Sequence, residues 1–71
     1  MTEVIERIVA AYVKLGNRKA LDDLRAHRHR LATDLKSRHG VFDLSSAIKQ
    51  LEEEISAIDA GLAKLNAAAA A

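Results

Sequence analysis

The chain has 71 residues, no Cys, no Pro and a formal net charge of +1. This length allows one domain at most, and the absence of Cys excludes disulfide bonds and thiolate metal sites. Because a chain this short buries only about 60% of its unfolded surface, we expect it to self-associate or to dock on a larger partner.

Charge is unevenly divided along the chain. Residues 1–40 carry nine Lys or Arg and five Asp or Glu, whereas residues 41–71 carry two Lys and five acidic residues. The favoured interpretation is that the two halves lie against each other with complementary charges. The alternative is a basic face that meets an acidic partner.

Residues 2–15 are predicted to form a helix with Thr2 as its N-cap. Apolar side chains occupy more than half of its circumference, in one stripe with flanking valines: Ile5, Ile8, Tyr12 and Leu15, then Val4, Val9 and Val13. Such a helix needs cover from more than one neighbour.

Gly16 and Asn17 interrupt this pattern. The favoured prediction is one long helix over residues 2–38, either straight or bent at 16–17, with Gly16 tolerated at a cost of about 1 kcal/mol relative to Ala. The alternative is a break, in which Gly16 ends one helix and Asn17 caps the next.

The stripe resumes over residues 18–38 at Leu21, Leu24, Leu31 and Leu35. This spacing predicts a helix whose apolar face includes Leu31, with His27 near the same seam. The stretch ends at Gly40, a predicted C′ glycine, followed by Val41 as its apolar partner.

The last helix is predicted over residues 43–66, with Asp43 as the preferred N-cap and Ser45 as the alternative, and with an Ala-rich tail at 67–71 that frays. Its apolar residues recur at steps of three and four, the pattern of a helix that packs on other helices: Ile48, Leu51, Ile55, Ile58, Leu62 and Leu65. Gly61 lies inside this helix and predicts a close helix crossing. Phe42 is expected to cover the end of the turn, or to contact a partner if exposed.

Together these elements predict one all-α domain over residues 1–71, an antiparallel helical hairpin with a long first helix that bends or breaks at 16–17. The turn falls at 39–42. Because the arms 18–38 and 43–66 match in length, residues 2–15 are expected to extend beyond the hairpin without cover from their own chain. That uncovered surface is the predicted working part of the protein.

Catalytic and metal-binding patterns are missing from the sequence. His27 and His29 differ by about 200° on a helix and cannot share a metal ion, since i,i+4 spacing would be needed. The serines lack a supporting His and acid, and no Gly-rich phosphate loop occurs. We therefore expect a protein that is not an enzyme and takes no cofactor or metal.

The basic residues between Arg25 and Arg38 make nucleic acid a further candidate partner. No aromatic residue interleaves with them to stack on bases, so direct binding is the less favoured alternative. No stretch approaches the roughly 20 apolar residues needed to span a bilayer, and the N-terminus lacks a basic signal-peptide region. We expect a cytoplasmic protein without a membrane partner.

Two short segments of the sequence look familiar. Residues 11–15 read Ala-Tyr-Val-Lys-Leu and precede basic residues, and residues 57–65 read Ala-Ile-Asp-Ala-Gly-Leu-Ala-Lys-Leu. They are similar to the opening and closing segments of small tailed-phage proteins. The resemblance implies a small phage-encoded protein that binds a host machine, such as an inhibitor or antiterminator acting on host RNA polymerase.

The sequence therefore predicts a protein-binding regulator. Its partner-binding surface is expected on apolar and basic residues of the first two helical stretches: Val4, Ile5, Arg7, Ile8, Tyr12, Lys14, Arg18, Arg25 and Arg28. The main alternative is a structural protein in which two hairpins pair into a four-helix bundle as a homodimer. The second alternative is a basic helical module that binds nucleic acid.

Overall fold

The structure is a computed structural model that describes residues 3–38 and 43–70. It contains three α-helices, α1 (Glu3–Leu15), α2 (Arg18–Arg38) and α3 (Ser45–Ala70), and no strand in these ranges. The all-α prediction is confirmed. None of the three helices is both long enough and apolar enough to cross a lipid bilayer. The predicted N-cap at Thr2 and the turn residues Gly40, Val41 and Phe42 lie outside the described residues.

The helical conformation is interrupted at Gly16, so the favoured prediction of one continuous helix over 2–38 is wrong. Gly16 has a φ of +67°, which a residue without Cβ adopts at little cost. Its N–H donates to the Val13 carbonyl at 3.0 Å, and the Asn17 N–H donates to the Tyr12 carbonyl at 2.9 Å. These two bonds form a Schellman motif, which satisfies the last carbonyls of α1.

Asn17 starts the next helix immediately. Its Oδ1 accepts a hydrogen bond from the Ala20 N–H at 3.1 Å, the geometry of an N-cap side chain. A C′ glycine followed by a capping Asn ends one helix and begins another within two residues. The alternative prediction, a break at this dipeptide, is therefore the one the structure shows.

The third helix begins at Ser45, two residues after the predicted start at Asp43, and it also ends later than predicted. Asp43 Oδ1 accepts a hydrogen bond from the Ser45 N–H at 3.2 Å, and the Leu44 carbonyl accepts from the Ile48 N–H at 2.9 Å. The helix continues to Ala70, four residues beyond the predicted end at 66. Ala has the highest helix propensity of all residues, so the tail extends the helix.

The first residues of α2 contact the last part of α3, and later residues of α2 contact earlier residues of α3. These two helices are therefore antiparallel. Side-chain bonds join them along most of their length: Arg18 to Asn66, Arg25 to Asp59, Arg28 to Glu54 and Lys36 to Glu52. The basic and acidic halves of the chain therefore lie against each other, as the favoured interpretation of the charge asymmetry predicts.

The inner face of α2 is rotated from the predicted one. Leu21 is fully buried and Ala32 is 4% exposed, whereas Leu31 is 41% exposed. At 100° per residue, Ala32 lies about 20° from Leu21 and Leu31 about 80° away, so Ala32 faces α3 more directly. His27 is exposed, and the half-buried residue at this level is Arg28. The predictions that Leu31 and His27 lie at the seam are wrong.

The first helix folds back on the other two. Ile5 and Val9 of α1 are 4% and 6% exposed and form one buried cluster with Leu21 and Ile58. The expectation that residues 2–15 extend beyond the hairpin without cover is therefore wrong for this side of α1. The approach is close, because a Cβ built on Gly61 would collide with the Val9 side chain and lie 3.2 Å from Val13 Cγ2. The predicted close helix crossing at Gly61 is confirmed.

Candidate protein-binding surface

One side of α1 remains uncovered. Val4 and Leu15 are 70% and 76% exposed, and Ile8 is 37% exposed. Ala11 is also exposed. These four residues follow one another at steps of four, three and four, which places them within about 60° of the helix circumference. We call them the α1 stripe.

The α1 stripe exists because α1 is apolar on two adjoining sides. The side that contains Ile5, Val9 and Val13 packs against α3 and the common core. The stripe is centred about 130° away from that side, so α2 and α3 cannot cover both. The break at Gly16 thus buries half of the apolar surface of α1 and leaves the other half in solvent.

Positive charge borders the stripe. Arg7 and Lys14 are exposed and lie about 40–60° from Ala11 around the helix. Within the part of the chain that the structure describes, neither makes an ion pair or a side-chain hydrogen bond. A surface that covers the stripe would therefore meet two uncompensated cations along one edge.

Two of the apolar residues predicted to bind a partner belong to the protein's own core. Ile5 is buried. Tyr12 is half-buried and packs against the core cluster, near Ala20 and Leu24 of α2. The predicted positions Val4, Arg7, Ile8 and Lys14 do remain on the surface. Their exposure leaves them accessible to a partner.

The predicted basic residues of α2 are directed to α3. Arg25 Nε lies 2.6 Å from Asp59 Oδ1, and Arg28 Nε lies 3.1 Å from Glu54 Oε1. Arg18 donates a hydrogen bond to Asn66. These arginines already stabilise the helix pair, so using them to bind phosphate or an acidic partner would remove bonds within the fold.

Leu15 was not predicted as a binding residue, although it is the most exposed large apolar side chain among the described residues. Leu15 follows Ile8 by seven residues and Val4 by eleven, a spacing that places all three on one side of a helix. The signal was missed because the same residue also fits the stripe Ile5, Ile8, Tyr12 and Leu15. Only the packing of α1 shows which of the two overlapping stripes is buried.

Metal-ligand clusters and unpaired buried side-chain polar atoms are both missing from the described residues. No group of three or more His, Asp or Glu side chains is placed to hold a metal ion in residues 3–38 and 43–70. In the same ranges every buried side-chain nitrogen and oxygen has a hydrogen-bond partner. Arg28 Nη1 donates a hydrogen bond to His27 Nδ1 at 3.1 Å, because a guanidinium can only donate.

Comparison with known proteins gives no relative for this chain. It matches no family model, no curated protein sequence and no solved structure.

Proposed function

We propose that this protein is a non-enzymatic regulator that docks on a larger protein through the α1 stripe. The observation that carries the proposal is the exposure of Val4 and Leu15 at 70% and 76% on a helix whose other side is core. Burying a Val or Leu side chain is worth roughly 1.5–3 kcal/mol, so a partner that covers these residues gains substantial binding free energy.

The spacing of the stripe favours one mode of binding. Anchors at i, i+4, i+7 and i+11 are typical of an amphipathic helix that lays its apolar side into a groove. Arg7 and Lys14 border the stripe on one side, so the matching groove carries acidic residues along that rim.

A groove on a larger protein suits the stripe better than a second α1 helix does. Stable interfaces engage roughly 20–30 residues on each side, and the stripe has four. Two stripes packed face to face would be small and exposed at their edges. A groove surrounds the helix and adds contacts from several elements of the partner.

The specific partner we propose is host RNA polymerase, with the chain acting as a phage-encoded inhibitor or antiterminator in the host cytoplasm. The support is the resemblance of residues 11–15 and 57–65 to small tailed-phage proteins. One of the two segments, Ala11–Leu15, contains half of the stripe.

The test is binding of the purified chain to purified host RNA polymerase by biolayer interferometry. The double variant Val4→Glu, Leu15→Glu is expected to lose binding by at least about a hundredfold, since two anchors become charged. Leu31→Glu is the matched control, because it changes an exposed Leu on another helix. Circular dichroism checks that both variants stay helical.

Equal binding by the wild type and the double variant would overturn the role of the stripe. No binding of the wild type to polymerase would overturn that partner. A photoreactive residue at position 15, compared with one at position 30, then identifies any other protein that covers the stripe.

A further inference from the structure

The part of the molecule farthest from α1 is only two helices thick. We call residues 29–38 of α2 and 45–56 of α3 the distal half. Of these residues only Ala32 is buried, and the apolar ladder of α3 is half-exposed here at Ile48, Leu51 and Ile55. By contrast, Leu21 and Ile58, at the level of α1, are fully buried.

A groove runs along the distal half between α2 and α3. Ala32 and Ile55 lie at its base, Lys36 lines it on the α2 side, and Glu52 and Ser56 line it on the α3 side. Its volume is about 340 Å³. By helical geometry it lies about 165° around α3 from the side that packs against α1. The groove and the α1 stripe are therefore separate surfaces.

The chain exposes more surface than a compact monomer of its size. Its accessible surface is 5065 Å², whereas a compact 7.7 kDa monomer exposes about 4,300 Å². Its radius of gyration is 13.5 Å, against about 11 Å expected for 71 residues. The excess of about 700 Å², to which the α1 stripe also contributes, is of the same order as the roughly 800 Å² that each partner buries in a standard interface.

We propose that a second copy of this chain covers the groove, so that α2 and α3 of two copies form an antiparallel four-helix bundle. Charge supports this occupant. The helix α2 carries seven Lys or Arg and three Asp, whereas α3 carries two Lys and four acidic residues. A surface with a basic wall and an acidic wall is complementary to itself when each wall meets the opposite one.

This charge pattern also selects one arrangement of the two copies. A twofold axis parallel to the helices places α2 of one copy over α3 of the other, at the same level. A twofold axis perpendicular to the helices, lying in the plane between the two copies, would place α2 of one copy over α2 of the other. Like charges would then face each other. In the first arrangement every helix has antiparallel neighbours of opposite charge, as in four-helix bundles.

Lys36 and Glu52 are the residues this interface uses. Within one chain Lys36 Nζ and Glu52 Oε1 are 4.0 Å apart, and their side chains are 58% and 57% exposed. Such a long, exposed pair is worth little by itself. In the dimer Glu52 would also meet Lys36 of the second copy, and this pairing would occur twice.

The test uses sedimentation velocity on the full chain from about 1 μM to 1 mM. The wild type is expected to dimerise. Lys36→Glu and Glu52→Lys alone are each expected to weaken the dimer at least about tenfold, because like charges then face each other across the interface twice. An equimolar mixture of the two variants is expected to restore dimers.

The mixture separates the interface from the fold. Each variant retains its like-charged pair within its own chain, and only the contacts between chains become complementary again. Arg30→Glu, the same change of charge on the outer face of α2, is the control and should leave dimerisation unchanged. Ser56→Trp fills the groove without changing charge and should give a helical monomer.

Three results would overturn the proposal: a monomeric wild type at 1 mM, a mixture that stays monomeric, or an equal effect of Arg30→Glu. The double variant Val4→Glu, Leu15→Glu should still dimerise. Because it removes the α1 stripe and leaves the groove intact, failure of the proposed function and failure of this dimer give different results.

Discussion

Arg28 and Glu54 join the two long helices through an ion pair that is largely withdrawn from water. The Nε–Oε1 distance is 3.1 Å, and the side chains are 23% and 14% exposed. Arg25 and Asp59 form a second pair one turn away at 2.6 Å, but these side chains are 44% and 47% exposed. The two pairs share chemistry and differ in solvent access, so they provide a matched comparison.

The Arg28–Glu54 pair is expected to matter more than the shorter Arg25–Asp59 pair. Glu54→Ala should lower the free energy of unfolding by about 1–3 kcal/mol, because it leaves a guanidinium half-buried without its acceptor. Asp59→Ala should cost less than about 1 kcal/mol, since water replaces the lost partner. Urea denaturation measures both. Equal costs would contradict the role of burial.

Gly61 permits the contact between α1 and α3. Gly61→Ala should destabilise the protein by about 1–3 kcal/mol, because the new Cβ would overlap the stiff, β-branched Val9. Helix propensity alone predicts the opposite sign, since Ala is better than Gly by about 1 kcal/mol. Thermal and urea unfolding of Gly61→Ala measure whether the protein loses or gains stability.

The double variant Val9→Ala, Gly61→Ala is the control for this contact. If the overlap is the cause, the second Ala should cost less in the Val9→Ala background than in the wild type. Additive costs would show that Gly61 acts through something other than its contact with Val9.

Substitution of Gly16 tests the effect of backbone conformation alone, because a new Cβ there would make no contacts. A Cβ at this position would have no heavy atom within 4 Å, but φ is +67°. Gly16→Ala should therefore cost about 1–2 kcal/mol from the left-handed conformation alone. Gly16→Asn should cost less, because Asn tolerates this region better. If Ala and Asn cost the same, or nothing, the chain does not need a left-handed residue here.

Truncation to Ala should lower the free energy of unfolding strongly at Leu21 and hardly at all at Leu15. Leu21 is fully buried, so Leu21→Ala should cost about 2–5 kcal/mol of unfolding free energy. Leu15 is 76% exposed, so Leu15→Ala should change stability by no more than about 0.5 kcal/mol. A large cost at Leu15 would mean that the protein itself covers the stripe.

Several features of the fold could be predicted because they depend on local patterns. The steps of three and four that end at Leu65 indicate α3, and the charge asymmetry indicates that α2 and α3 pair. The role of Gly16 was ambiguous, since Gly within a helix and Gly after a helix differ only in the conformation of one residue. The helical and the left-handed conformations of a Gly differ little in free energy, so the local sequence does not determine which one forms.

By itself, the sequence determined that the chain is helical, that it has more apolar helix surface than one neighbour can cover, and that the second and third helices carry net charges of opposite sign. The tertiary structure alone decided which apolar side of α1 is buried. Ile5 and Val9 pack on α3 because Gly61 lets α1 approach closely, and Val4, Ile8 and Leu15 are left in solvent as a result. Periodicity gives the width of an apolar surface, but which part is covered depends on the angle at which two helices meet, and that angle is set by contacts between residues distant in the chain.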